Sequence, residues 1–211
     1  MKEANVSPVD PSAPSNAAGK RVLIAYATRE GQTQKIAEHV AATLHAEGLA
    51  VDVVDVKMPP RLDLGAYVGV ILAASLHLGK HEHEMVDFGR ANAAVLNAMP
   101  TSLLSVSMSE AGAEDVSRTP EQRRQAAANV KGAVDRFLAD TGLHPDRVMP
   151  VAGALKYLEY GWLVRFVMKR ISKAEGGPID TSRDYEMTDW VALDRFGHEV
   201  AASLGMSSPA A

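Results

Sequence analysis

The sequence predicts an α/β protein built on a doubly wound, five-stranded parallel sheet. Two observations carry that prediction. Short apolar runs of strand length alternate with amphipathic stretches of helical spacing along 21–152, which is the pattern of right-handed strand-helix-strand crossovers. The third run, 67–74, is apolar almost throughout, as a strand covered by helices on both faces must be. At 211 residues the chain exceeds a typical domain of about 150, which one core with an insertion after or within strand five and loose ends accounts for.

The elements follow in order. Residues 1–20 carry Pro8, Pro11 and Pro14 among Ser, Ala and Asn, too few apolar side chains to offset the entropy of ordering, and are expected to form a disordered leader. Strand one is expected at 22–27, followed by a polar hexad and a helix with Ile36, Ala37, Val40, Ala41 and Leu44 on one face. Gly48 stops that helix, the valine-rich run 51–56 is strand two, and Pro59 with Pro60 closes it. After strand three, a helix is expected over 83–98, then strand four around Leu103, Leu104 and Val106. The polar stretch 107–119 leads to a helix with Thr119 as N-cap and Pro120 in its first turn, and 148–152 is strand five. The domain is read as 21–204, with 205–211 a flexible tail.

Composition narrows the chemistry. Hydrophobic residues at 46% and charged residues at 23% describe a soluble globular chain, and no apolar stretch approaches the roughly 20 residues of a membrane span. A net charge of −4 argues against a surface that wraps nucleic acid. Cysteine is absent, which removes disulfides, thiolate metal sites and thiol nucleophiles, so redox chemistry requires a bound cofactor. Without a basic-then-apolar start, the expected compartment is the cytoplasm.

In doubly wound sheets ligands bind beyond the carboxyl ends of the strands. The loop after strand one reads Thr28-Arg29-Glu30-Gly31-Gln32-Thr33 and runs into a helix N-terminus. Free backbone N–H groups and the helix dipole favour an anion there, with Thr28 and Thr33 as further donors. The plain alternative is an ordinary helix cap. The hexad lacks the glycines of a dinucleotide loop and the Gly-Lys-Ser/Thr of a P-loop. His77, His81 and His83 with Glu82 and Glu84 are dense in metal-ligand residue types, but their spacing matches no histidine zinc site, and no metal is assigned. No protein acid or base is assigned as catalytic.

The segment after strand five mixes aromatic and basic residues. Six of the eleven aromatics (Tyr157, Tyr160, Trp162, Phe166, Tyr185 and Trp190) fall within 157–190, and Lys156, Arg165, Lys169, Arg170 and Lys173 face only Glu159 over 156–173. Three readings stay open: a face for an anionic membrane, a pocket wall for a flat carboxylated ligand, or an extra helix packed on the sheet with its cations solvated.

An apolar strand ending in Ala-Thr-Arg-Glu-Gly-Gln-Thr before an amphipathic helix resembles the phosphate loop of the flavodoxin family. The resemblance implies FMN, its phosphate held by Thr28, Arg29, Glu30, Gly31, Gln32 and Thr33. The ring would be gripped by Ala74, Ser75, Leu76, His77, Leu78 and Gly79 and by Ser107, Met108 and Ser109. Ala152-Gly153-Ala154-Leu155-Lys156-Tyr157, Arg165-Phe166, Met168-Lys169, Gly176-Gly177, Asp180-Thr181 and Thr188-Asp189-Trp190 further resemble a branch of that family, the bacterial menaquinone-dependent protoporphyrinogen oxidases of haem synthesis. That similarity covers about 21–203, and it implies a protoporphyrinogen IX substrate, a quinone acceptor and peripheral contact with the membrane's inner face. Lys156, Tyr157, Trp162, Arg165, Lys169 and Arg170, in a basic aromatic insert at about 155–177, would meet substrate or lipid. His77 and Leu78 stand where that branch carries a basic and an aromatic residue. The alternative activity is a flavodoxin-type electron carrier or regulatory module, against which the basic insert weighs, since carriers of the family dock through acidic faces.

Overall fold

The computed structural model describes residues 20–58, 62–77, 79–155 and 180–206. Leu78, Lys156, Tyr157, Trp162, Arg165, Lys169 and Arg170, with Pro59 and Pro60, all of the expected leader but Lys20, most of the insert and most of the tail, lie outside the described residues.

Five parallel strands form the sheet: β1 (Arg21–Ala27), β2 (Ala50–Asp55), β3 (Gly69–His77), β5 (Thr101–Ser107) and β6 (Arg147–Ala152), in the spatial order β2-β1-β3-β5-β6. A two-residue strand β4 (Lys80–His81) folds back antiparallel on the end of β3, pairing Leu76 with His81 and His77 with Lys80. The helices are α1 (Gln32–Ala46), α2 (His83–Ala91), α3 (Ala93–Leu96), α4 (Met108–Glu114), α5 (Pro120–Thr141) and α6 (Trp190–Ser203). A second ribbon pairs β7 (Ala154–Leu155) with β8 (Tyr185–Glu186) antiparallel.

The period of two in a strand sends alternate side chains to opposite faces, and both faces here are dry. Val22, Ile24 and Tyr26 of β1, with Ile71 and Leu104, pack against Ile36, Val40 and Leu44 of α1 and Leu193, Phe196 and Val200 of α6. Their neighbours Leu23, Ala25 and Ala27, with Leu72 and Leu103, pack on Met85 of α2, Leu96 of α3 and Val134 and Phe137 of α5. Each fully buried Leu, Ile or Phe contributes about 1.5–3 kcal/mol, so this double core is what fixes the strand register. Helices α1 and α6 approach closely at Gly197, where a Cβ would stand 2.7 Å from Thr43 Cγ2.

The expected strands are present, with two differences around them. The expected helix over 83–98 breaks at Asn92, whose side-chain amide donates to the Phe88 carbonyl at 2.8 Å and whose backbone leaves helical geometry. The polar stretch after β5 contains α4, because Ser107 accepts a hydrogen bond from Glu110 N–H at 3.1 Å and caps a helix. Thr119 caps α5 as expected, through a reciprocal box with Gln122.

Candidate functional site

The order β2-β1-β3 places the winding reversal between β1 and β3, since the chain leaves β1 toward one edge of the sheet and β3 toward the other. The loops diverge there and open a cleft at the carboxyl ends. Four stretches line it: the loop after β1, the end of β3 with the start of α2, the end of β5, and the turn after β6.

The loop after β1 is held by its own contacts. Thr28 Oγ1 accepts from Gly31 N–H at 3.0 Å, and Gly31 takes the left-handed conformation, φ 79°, that lets the chain turn directly into α1. Lys57 donates from Nζ to the Thr28 carbonyl. Among the described residues no side chain caps the first turn of α1, which leaves its leading N–H groups open to an anion beside Thr28, Gln32 and Thr33. Gln32 and Thr33 are buried. Gln32 donates from Nε2 to Thr188 Oγ1 at 2.9 Å, and Thr188 donates onward to the Ala152 carbonyl at 2.8 Å, tying the loop to the turn after β6.

Arg29 pairs with Glu82 at the first residue before α2, its Nε lying 2.8 Å from each carboxylate oxygen. That hydrogen bond, followed by the charge of Glu82, holds the guanidinium above its ordinary pKa. Opposite, Leu76, His77 and Met108 are half-buried and line the cleft with Ser75, Val106, Ser107, Gly153 and Ala154. Among the described residues the His77 side chain has no hydrogen-bond partner, while its backbone pairs with Lys80. Burial, then Glu114, raises the carboxyl of Glu110 on α4, and burial, then Asp189, raises that of Glu114, so the flank beyond Met108 is acidic.

Of the residues singled out in sequence, the structure brings together Thr28, Arg29, Glu30, Gln32, Thr33, Ser75, Leu76, His77, Ser107 and Met108 around one cleft. Gly31 shapes the loop without lining it. Three others stand apart: Ala74 points into the core beneath α2 and α5, Gly79 turns the exposed β3-β4 hairpin at φ 77°, and Ser109 is half-buried in the first turn of α4. Their offset follows from pleat and turn, because the ring-side loops were bounded by position and not by which way each side chain points. Glu82, Gly153 and Ala154 were missed as cleft residues. Glu82 was visible only as one of five potential metal ligands, and these disperse: His81 is buried, 2.9 Å from Ser105 Oγ and packed on Phe137, Glu82 goes to Arg29, and His83 pairs with Glu84 at 3.2 Å. Burial lowers the pKa of His81 to about 4. Trp190 and Tyr185 also serve elsewhere than the insert. Trp190 opens α6 and stacks on α1, with the His39 ring 4.8 Å away and Lys35 Nζ 4.9 Å above it, while Tyr185 pairs with Leu155 in the β7-β8 ribbon.

A five-strand order of this kind, with an uncapped helix start and two buried polar side chains at the β1-β3 crevice, defines a doubly wound domain with an anion site at its switch point. The chain belongs to the flavodoxin family: the model of the flavodoxin domain matches residues 23–182. FMN is the cofactor of that domain, and the residues present fit it, with polar donors at one end of the cleft and apolar side chains at the other. The chain is 33% identical over 181 residues to the protoporphyrinogen IX dehydrogenase (quinone) of Escherichia coli strain K12, covering 86% of this chain and 94% of that protein. It is 30% identical over 183 residues to the protein of the same name from Leishmania major, covering 86% of this chain and 75% of that one. Among solved structures, Bacillus cereus flavodoxin 1 aligns with a TM-score of 0.49 at 17% identity, over 87% of this chain and 98% of that chain. The Streptococcus pneumoniae flavodoxin gives 0.48 at 18% identity, over 87% and 99%. The chain is thus an oxidoreductase of the flavodoxin family. No helix among the described residues is long and apolar enough to cross a membrane.

Proposed function

We propose that the protein oxidises protoporphyrinogen IX to protoporphyrin IX with bound FMN and passes the electrons to a membrane quinone of the menaquinone type. The observation that carries this reading is the 33% identity to a protoporphyrinogen IX dehydrogenase along nearly its whole length, and not merely across the shared loop after β1. When bound, FMN supplies the hydride and electron chemistry. The chain's part is to hold and orient it: Thr28, Gln32, Thr33 and the first-turn N–H groups of α1 take the phosphate, and Ser75, Leu76, His77, Ser107 and Met108 border the ring.

The reading treats 21–204 as one domain with an insert at about 155–177, between a leader at 1–20 and a tail at 205–211. The insert begins in β7 of the β7-β8 ribbon, whose first residue, Ala154, lines the cleft. Its cations Lys156, Arg165, Lys169 and Arg170 would meet propionates or lipid phosphates, with Tyr157 and Trp162 as flat apolar contacts. Peripheral attachment to the inner face of the cytoplasmic membrane would bring the cleft to the quinone.

The test is turnover. FMN-loaded protein given protoporphyrinogen IX without oxygen should produce protoporphyrin fluorescence only when a menaquinone analogue is added. Replacing 158–175 by a short Gly/Ser linker should abolish that turnover while FMN stays bound. Stoichiometric FMN without porphyrinogen turnover would select the electron carrier instead, and full turnover by the shortened protein would move the substrate away from the insert.

A further inference from the structure

The loops after β1 and β3 are clasped together by one buried carboxylate. Both oxygens of Glu82 lie 2.8 Å from Arg29 Nε, and Oε1 also accepts from Ser75 Oγ at 3.3 Å. The backbone repeats the link, with Glu82 N–H donating to the Ser75 carbonyl at 3.1 Å. The two partners are unequally placed: the Glu82 side chain is 1% exposed and that of Arg29 52%. A carboxylate that deep is strongly unfavourable without a counter-charge, whereas a half-exposed guanidinium is well solvated by itself. Glu82 therefore depends on Arg29 and not the reverse. Such pairs add little net stability, because desolvation offsets the attraction, and their contribution is to geometry.

We propose that Glu82 is a positioning residue of the cofactor site. Through Arg29 and Ser75 it locks the phosphate end of the cleft to the ring end, and it sets a neutral pair, instead of a lone cation, beside the flavin. Two consequences follow from the physics. A cleft whose ends are already fixed loses less conformational entropy on binding, so the clasp raises FMN affinity. Flavin reduction adds electrons, which a lone cation would favour, so the carboxylate of Glu82 holds the midpoint potential down. The inference rests on FMN binding and is independent of the substrate, so failure of porphyrinogen turnover leaves it standing.

The experiment measures FMN dissociation from the full chain, the midpoint potential of the bound flavin, and thermal unfolding of the apoprotein. Glu82→Gln keeps the shape and removes the charge; it should weaken FMN binding at least tenfold and shift the potential to more positive values. Glu82→Asp keeps the charge but not the reach, and should lose affinity with a potential close to wild type. Arg29→Met, alone and combined with Glu82→Gln, completes a cycle: the double variant removes both partners without stranding a charge, so its loss of affinity should be smaller than the product of the two single effects. Should Glu82→Gln or Arg29→Met not fold, Glu82→Asp still gives the answer, through a loss of affinity at an unchanged potential. A merely structural pair would lower the unfolding temperature and leave affinity and potential where they were. That result, or single effects that simply multiply in the double variant, would overturn the proposal.

Discussion

The two ends of the cleft are built by different means. At the phosphate end nearly every polar group already has a partner within the protein: Thr28 holds Gly31, Arg29 holds Glu82, Gln32 holds Thr188, and Lys57 holds the Thr28 carbonyl. At the ring end Leu76, His77 and Met108 shape the wall by contact, and Leu76 and His77 are placed by the β3-β4 hairpin. The difference follows from the ligand's chemistry. An anion must be met by donors fixed in advance, since each buried donor left unpaired is costly, while a flat apolar ring asks only for surfaces that exclude water. The phosphate end should therefore respond sharply to single atoms, and the ring end to volume.

The largest effect is expected where that contrast is strongest. Gly31→Val combined with Thr28→Ala forces a β-branched residue into the left-handed region and removes the hydroxyl that stabilises the turn. Together these should weaken FMN binding about a thousandfold, or about 4 kcal/mol, measured by fluorescence titration of the apoprotein. A loss under tenfold would mean that the loop does not carry the phosphate.

Next comes the support beneath the ring-side hairpin. His81 is held neutral by burial, with a folded pKa of about 4 against an ordinary 6.5. Its contribution to stability is complete above the unfolded pKa and is lost as pH falls from 6.5 toward 4, because the unfolded chain takes up the proton first. The loss relative to His81→Gln should reach about 3 kcal/mol in urea unfolding between pH 7 and pH 4. Parallel pH profiles for the two proteins would contradict this.

A smaller change is expected at the link across the cleft. Thr188→Val strands the Gln32 amide and the Ala152 carbonyl, and should cost about 1–3 kcal/mol of folding stability in chemical denaturation. Smallest of all, Leu76→Ala or Met108→Ala should change FMN affinity less than about tenfold, since half-buried apolar contacts are lost gradually with area. If either alanine matched the loop variant in effect, the contrast between the two ends would collapse.

The same contrast explains what could be read in the sequence. The strands were legible because a sheet covered on both faces requires apolar runs, and the loop after β1 because Gly31 and its flanking hydroxyls are local requirements of one turn. Glu82 was not, because its meaning depends on Arg29, 53 positions away, and no local pattern distinguishes a clasped carboxylate from a solvated one. His81 was hidden for a similar reason: its neighbours Ser105 and Phe137 come from β5 and α5, and in sequence it stood only among other histidines. Helix α4 was concealed by the polar composition of its segment, whose cap, Ser107, was read as the first residue of a polar connection.

The most direct measurement of the central claim compares FMN with riboflavin, which carries the same ring without the phosphate, by calorimetric titration of the apoprotein. The account predicts that FMN binds at least about a hundredfold more tightly, about 2.7 kcal/mol, the scale of charge-assisted hydrogen bonds to a preformed anion site. Equal affinities would show that the loop at 28–33 does not hold a phosphate, and would contradict the reading of the cleft from its first residue.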